Sequence, residues 1–360
     1  ARHAPEAAAR AAADTPGGFD EALWRRICDE QGWSGLAVAE ADGGVGASAV
    51  ELAIVMEEAG RVLLASPLFA TAALVLPALD RGARGVVRDR WLPALSSGAS
   101  HGALAVLERG GRWRASDVAT TARSDGGGYV LDGAKRYVIS GVGAQVLLVA
   151  ARDEAGDVAL FVVDATSRGV SVVATPTMDT TRPMADVTLS GVHVDASARL
   201  DGDWATIAAA RAFGAAMLAS EQVGVAEACL DLSVEYAKVR TQFGKPIGSF
   251  QAIKHKCADM LMWVESARSA ARYAAWCAAE APEQLEEAAL IAGSACGEWA
   301  LRCASETIQV HGGVGFTWEH DAHLFFKRAR ASEALLGTPA SMRDQVADMV
   351  LGPAEATKCI

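Results

Sequence analysis

Apolar periodicity changes twice along this 360-residue chain, and that double change constrains the fold more than any single residue does. Up to about residue 98, apolar side chains recur at helical spacing, interrupted by Pro16-Gly17-Gly18, Gly43-Gly44, Pro67, Pro77 and Pro93. The pattern predicts helices over residues 19–31, 47–59, 67–79 and 83–92. Between residues 102 and 200 the repeat shortens, and β-branched or apolar runs at 129–131, 137–139, 146–149, 159–163, 170–173 and 187–189 alternate with Gly and Asp. Closely spaced short strands predict a small antiparallel barrel or sandwich, with turns at Asp125-Gly126-Gly127-Gly128 and Asp132-Gly133. From Trp204 helical spacing returns. Val223, Ala226, Leu230, Val234 and Ala237 share one face of a long helix ending near Arg240, and Glu227, Asp231 and Glu235 share another. Further helices are expected over 250–279, 282–309 and 320–335, and Thr338-Pro339 reads as an N-cap and first position of a last one. The expectation is a mainly α fold with a central β-domain. Its parts are an N-terminal helical lobe (1–98), a middle β-barrel or sandwich (99–202) and a C-terminal four-helix bundle (203–360).

Composition excludes several function classes. Lys and Arg number 33 against 44 Asp and Glu, a net charge of −11, whereas nucleic-acid binding needs clustered excess cations to displace counterions. The seven cysteines, Cys28, Cys229, Cys257, Cys277, Cys296, Cys303 and Cys359, form no Cys-x-x-Cys pair and have no His at ligand spacing. They read as small core residues of a reduced, cytoplasmic protein with no metal centre. No apolar run reaches the roughly 18–20 residues of a membrane span. The Ala- and Arg-rich start carries Glu6 and Asp14 without an apolar signal core, so an amphipathic first helix is expected there.

Two segments carry chemistry. Arg240-Thr-Gln-Phe-Gly-Lys-Pro-Ile-Gly-Ser-Phe-Gln251 puts a fixed cation at a helix end, followed by Phe243-Gly244 and Phe250-Gln251. Gln309-Val-His-Gly-Gly-Val-Gly-Phe316 joins two helices through paired glycines, where a ligand can approach the backbone. Alone, Arg240 is also explained as a cation complementing a helix C-terminus, and the glycines as a C-cap and turn. A dinucleotide's pyrophosphate asks for both a cation and open backbone N–H groups.

Together and in this order the segments resemble the flavin-contacting signatures of acyl-CoA dehydrogenases, and the resemblance covers nearly the whole chain, most strongly the bundle. It implies FAD as cofactor, contacted by Arg240, Gln242, Phe243, Gln251, Gln309, Gly312, Gly313 and Thr338, mostly on flavin held by a neighbouring subunit. It also implies an acyl-CoA thioester as substrate and electron-transfer flavoprotein or a similar acceptor.

The resemblance also exposes departures. In the family a carboxylate removes the α-proton of the thioester while hydride leaves the β-carbon for flavin, and losing a general base costs about 10²–10⁴-fold in rate. The Glu-Gly-Thr that carries it corresponds to Leu336-Gly337-Thr338, and the alternative position on the preceding long helix reads Gly214-Ala215. Glu221, Glu333 and Glu319 are the weak substitutes. The family's own-flavin loop, Thr-Glu-Pro-Gly-Ala-Gly-Ser-Asp, is replaced by the run from Leu107 to Asp117, and its Trp-Ile-Thr strand by Tyr137-Val138-Ile139. What acts on a neighbour's flavin is kept; what acts on the chain's own is lost. The expectation is the base-lacking subunit of an α2β2 assembly with a homologous, glutamate-bearing subunit. The alternatives are a homo-oligomer with a displaced base such as Glu221, and a non-enzymatic scaffold or acyl-CoA-binding protein.

Overall fold

A computed structural model describes residues 9–12, 14–15 and 17–352. The described residues form two compact units, one holding those up to 52 together with 64–214 and the other residues 53–63 and 215–352. Cys359 and the first eight residues, most of the expected amphipathic helix, lie outside the described residues, and residues 9–12 are helical.

In the first unit, helix α1 (Glu21–Gln31) starts where Asp20 accepts hydrogen bonds from the Ala22 and Leu23 amides at 2.8 and 3.1 Å. It stops at Gly32, whose left-handed φ of 64° a side chain would resist. Helix α2 (Ala49–Arg61) begins in this unit and ends in the other. Helix α3 (residues 68–82) contains a π-wound turn at Thr71–Val75, and α4 (Gly85–Ser96) follows. The expected helices at 19–31, 47–59, 67–79 and 83–92 are thus all present, shifted by a few residues at their ends.

The sheet departs from expectation. Strands β1 (Gly102–Ala105), β2 (Thr121–Ser124), β3 (Gly128–Ile139), β4 (Val146–Arg152), β5 (Val158–Asp164), β6 (Val170–Thr175) and β7 (Met184–Asp195) form one 7-stranded sheet in the order β1-β4-β2-β3-β7-β6, with β5 on β4. It is mixed rather than antiparallel, because β1 and β2 both pair parallel with β4. β4 and β5 are buried along nearly their whole length, which is why they read as unbroken apolar runs and not as alternation. Leu131, Val149, Phe161, Val187 and Val192 centre the core. Asp125–Gly128 is a turn as expected, whereas Asp132-Gly133 is not: β3 runs through it, and Gly133 sits at a register shift against β7. A Cβ at Gly133 would come within 2.4 Å of Thr120 Oγ1, so the glycine there admits a bulge rather than a reversal.

Helix α5 (Asp203–Val239) starts in the first unit and continues through the second, which also holds α6 (Gln251–Glu280), α7 (Leu285–His311), α8 (Ala322–Glu333) and α9 (Pro339–Leu351). The fourth place of the expected bundle is shared by α8 and α9, both packed on α7. The end of α2 lies against α5 with backbones touching. A Cβ at Gly224 would fall 1.8 Å from the Glu57 carbonyl oxygen, and one at Gly60 2.0 Å from that of Glu221. Around this crossing Arg268 reaches Glu57 and Glu227, each at 3.0 Å, and Arg61 pairs with Glu227 and Asp231. The acidic stripe read from the sequence is therefore partly an ion-pair seam. Inside the bundle Thr307 Oγ1 donates to the Cys229 carbonyl at 2.9 Å and Ser233 Oγ to the same carbonyl at 2.8 Å, so these buried hydroxyls are satisfied. Among the described residues no helix is long and apolar enough to cross a membrane.

Candidate functional site

In the second unit the two motif segments lie at helix ends. α5 stops at Val239, and Arg240 follows with its amide bonded to the Tyr236 carbonyl at 2.9 Å and its carbonyl accepting from the Ile247 amide at 2.8 Å. The backbone is thus fixed while the guanidinium is exposed and has no side-chain partner among the described residues. Thr241–Gln242 and Lys245–Pro246 pair as a minimal hairpin, strands β8 and β9, whose turn residues Phe243 and Gly244 have φ of 52° and 77°. Two positive φ values are what such a tight hairpin demands, and a phenylalanine in that region costs on the order of 1–3 kcal/mol. Phe243 is nonetheless 91% exposed. Among the described residues it meets only the edge of Phe250, at a centroid distance of 6.1 Å, and a strained aromatic left this open suits a contact made with another molecule. Gln242 donates to its neighbour Thr241 at 2.8 Å, and Gln251 is the exposed first residue of α6.

Helix α7 closes at His311, where Gly312 (φ 63°) caps it by donating to the Gln309 and Ile308 carbonyls. Gln309, Gly312 and Gly313 are exposed, and no atom lies within 4 Å of where a side chain on either glycine would project; the same holds at Gly244. Thr338 caps α9, accepting from the Ser341 amide at 3.2 Å. An unpartnered guanidinium together with bare, exposed glycines fits the diphosphate of a dinucleotide.

No carboxylate occupies the positions where a base is expected. Leu336 is fully buried (0%) just beyond α8, and Gly214 is buried within α5. Glu221 is also buried, 3.0 Å from Arg328, whose own side chain is 1% exposed. That pairing holds Glu221 as an anion among helices. Glu333 pairs with Arg330 one turn before it, and Glu319 is exposed beside the glycine loop.

In the first unit, the Leu107–Asp117 run is closed by its own contacts. Glu108 accepts from the Ala119 and Thr120 amides at 3.0 and 2.9 Å, from Thr120 Oγ1 at 2.8 Å and from Lys135 Nζ at 2.7 Å. Arg112 meets Asp117 at 2.8 Å. Burial pushes the Glu108 carboxyl up, but the bonds from Lys135 and Thr120 outweigh it and hold the group below its usual range. Lys135 is fully buried, and burial pulls it down to about 8 despite Glu108. Tyr137 is held at φ 56°, while Val138 and Ile139 are buried with no hydroxyl to offer. The Val138 and Ile139 side chains therefore cannot make a hydrogen bond to a flavin ring.

One feature escaped the sequence reading: His311, buried between the rings of Tyr236 and His320 at centroid distances of 4.3 and 4.2 Å. Its place directly before Gly312-Gly313 was the available signal.

Three family models match the chain: acyl-CoA dehydrogenase N-terminal domain at residues 1–99, middle domain at 103–194 and C-terminal domain at 204–351. The acyl-CoA dehydrogenase IpdE2 of Mycobacterium tuberculosis is 37% identical over 345 residues, covering 94% of this chain and 90% of that one. A chain of the ChsE4–ChsE5 complex from the same organism superposes with a TM-score of 0.88 at 30% identity, covering 97% and 93% of the two chains. Butyryl-CoA dehydrogenase of Megasphaera elsdenii gives a TM-score of 0.89 at 26% identity, with 96% and 94% covered.

Proposed function

Since the chain belongs to the acyl-CoA dehydrogenase family, FAD-dependent oxidoreductases acting on CH–CH bonds, we propose that it is the non-catalytic subunit that completes the FAD site of a glutamate-bearing partner. The observation that carries this reading is the pairing of two base positions that hold no carboxylate with an exposed cation and open glycines in the motif segments. Leu336 and Gly214 cannot accept a proton, and Glu221 is engaged by Arg328. Arg240, by contrast, presents an unpaired cation beside an exposed aromatic. The ChsE4–ChsE5 likeness supports it, since that chain works within a two-protein complex.

In this role Arg240 neutralises the diphosphate, and Gly312 and Gly313 let it approach the backbone. Gln242, Gln251 and Gln309 offer amide hydrogen bonds, Phe243 covers apolar surface and keeps water away, and Thr338 adds a hydroxyl. When bound, FAD supplies the two-electron acceptor for the β-hydride. The α-proton of the acyl-CoA goes to the partner's glutamate, because a missing base costs about 10²–10⁴-fold in rate and this chain offers none. The assembly is an α2β2 heterotetramer in the cytoplasm, with one FAD per αβ pair, passing electrons to an electron-transfer flavoprotein or similar acceptor. On this reading the domain limits are 1–98, 99–202 and 203–360.

Co-expression with a homologous glutamate-bearing subunit, followed by native mass and flavin absorbance, tests the proposal. One FAD per pair of unlike chains is expected, and Arg240→Ala should release it. A yellow protein from this chain alone, with one FAD per chain and acyl-CoA-dependent reduction of an acceptor, would overturn it.

A further inference from the structure

Three rings flanking the two segments assigned above to the nucleotide meet at His311. Tyr236 on α5 stacks on His311 at 4.3 Å and 29°, and His311 meets His320 at 4.2 Å and 49°. Tyr236 stands one turn before Arg240 and its carbonyl holds the Arg240 amide at 2.9 Å. His311 is the last residue of α7 and directly precedes the glycine loop. The segment it leads into, Gly312–Phe316, is a short 3-10 turn whose first two residues are glycines and bring no side-chain packing of their own. Gly315 in this segment is buried against the end of α7, where a Cβ would sit 2.9 Å from His311 Cβ and 3.2 Å from the Ile308 carbonyl oxygen. His311 therefore stands at the head of the segment, and its ring touches the helix turn that leads to the cation.

The hydrogen bonds define the rings' chemical state. His311 Nδ1 lies 2.8 Å from the Thr307 carbonyl, which can only accept, so Nδ1 carries the proton. His320 Nδ1 accepts from the Ala322 amide at 3.1 Å, which orients that ring. Burial keeps the His311 imidazole below its ordinary range, against the bond to the Thr307 carbonyl, which raises it. The His311 ring is thus oriented within the group, and stacked rings have specific preferred geometry that a methyl group cannot reproduce.

We infer that His311 is a positioning residue that holds the Gly312-Gly313 backbone at a fixed spacing from Arg240, so that the diphosphate of FAD meets the cation and the exposed glycine backbone as one preformed unit. This rests on the proposed grip on FAD and adds to it the element that sets its geometry. Small displacements of positioning groups cost much more than their own contact energy.

The test is FAD affinity of the full chain assembled with its glutamate-bearing partner, read by flavin fluorescence, alongside the melting temperature. His311→Ala should weaken FAD binding about tenfold, and His311→Phe, which keeps a ring in the stack, should stay within about threefold of the parent. The double variant His311→Ala/Arg240→Ala should bind no more weakly than Arg240→Ala alone. Fully additive losses, or a His311→Phe as weak as His311→Ala, would overturn the inference. Arg240→Ala serves as the control: if it leaves FAD affinity unchanged, the proposed function fails and takes this inference with it. If Arg240→Ala weakens binding and His311→Ala does not, the inference alone fails. Should His311→Ala not fold, His311→Phe retaining affinity while Tyr236→Leu loses it supports the role, and the reverse pattern overturns it.

Discussion

Glu221 illustrates how much a single partner decides about a residue. In sequence it is a carboxylate two turns from an empty base position; in the fold it is a buried anion neutralised by Arg328, 107 residues away. Breaking such a pair leaves a buried charge uncompensated, which costs about 3–5 kcal/mol. Glu221→Gln is therefore expected to lower unfolding free energy by that order in urea titrations, while turnover per folded complex stays unchanged. A collapse of turnover with stability intact would instead make Glu221 the base. His101 gives a pH dependence. It is buried against Phe19, and burial pulls its imidazole from 6.5 to about 4. The folded protein thus prefers neutral His101 more than the unfolded chain does. The stability this contributes is fully present above pH 6.5 and lost as pH falls through about 4, a swing on the order of 3 kcal/mol. His311, also held low, acts in the same direction. Unfolding free energies measured between pH 7 and 4 should fall less steeply in His101→Gln than in the parent.

The contact of α2 with α5 is set by two glycines rather than by an apolar stripe. Replacing a helical glycine by alanine ordinarily favours the helix by about 1 kcal/mol. At Gly224 the added methyl would sit 1.8 Å from the Glu57 carbonyl oxygen and 2.9 Å from the Arg61 amide, so the helices must separate. Overpacking of this kind costs about 1–3 kcal/mol, and the sign reverses: Gly224→Ala should be destabilising, visible as a lower urea midpoint. Helices were the most legible elements in the sequence because each runs for several turns with a coherent apolar face. Thr338-Pro339 even gave the start of α9 correctly, as the cap bond to Ser341 demonstrates. β1 and β2, of four residues each, were too short to produce a period, and the parallel pairing of both with β4 leaves no trace in local alternation. Asp132-Gly133 looked like a turn because a bulge needs the same glycine. Of the candidate site, Arg240 and the glycine loop were readable as motif. The engagement of Glu221 and the ring stack at His311 depend on residues distant in sequence, which no spacing rule reports.

At the scale of the whole molecule, the decisive quantity is apolar surface left uncovered beside the motif segments. Phe243, Phe316 and Trp318 are 91, 80 and 72% exposed, and Lys327 lies over the Trp318 ring at 4.3 Å. Large aromatics exposed this fully, next to segments assigned to a neighbour's nucleotide, are what an assembly interface looks like from one side. Burying such a side chain contributes about 1.5–3 kcal/mol, which converts to roughly a 10- to 100-fold change in dissociation constant. Phe243→Ser should therefore weaken association with the glutamate-bearing subunit by about that factor. In the isolated chain the same change removes no core contact and lets a smaller residue occupy a strained φ of 52°, so its melting temperature should hold or rise slightly. Analytical ultracentrifugation of the mixed subunits, paired with thermal unfolding of the chain alone, separates the two effects. Unchanged association, or a large loss of stability in the isolated chain, would show that the hairpin serves the chain's own fold and not its partner.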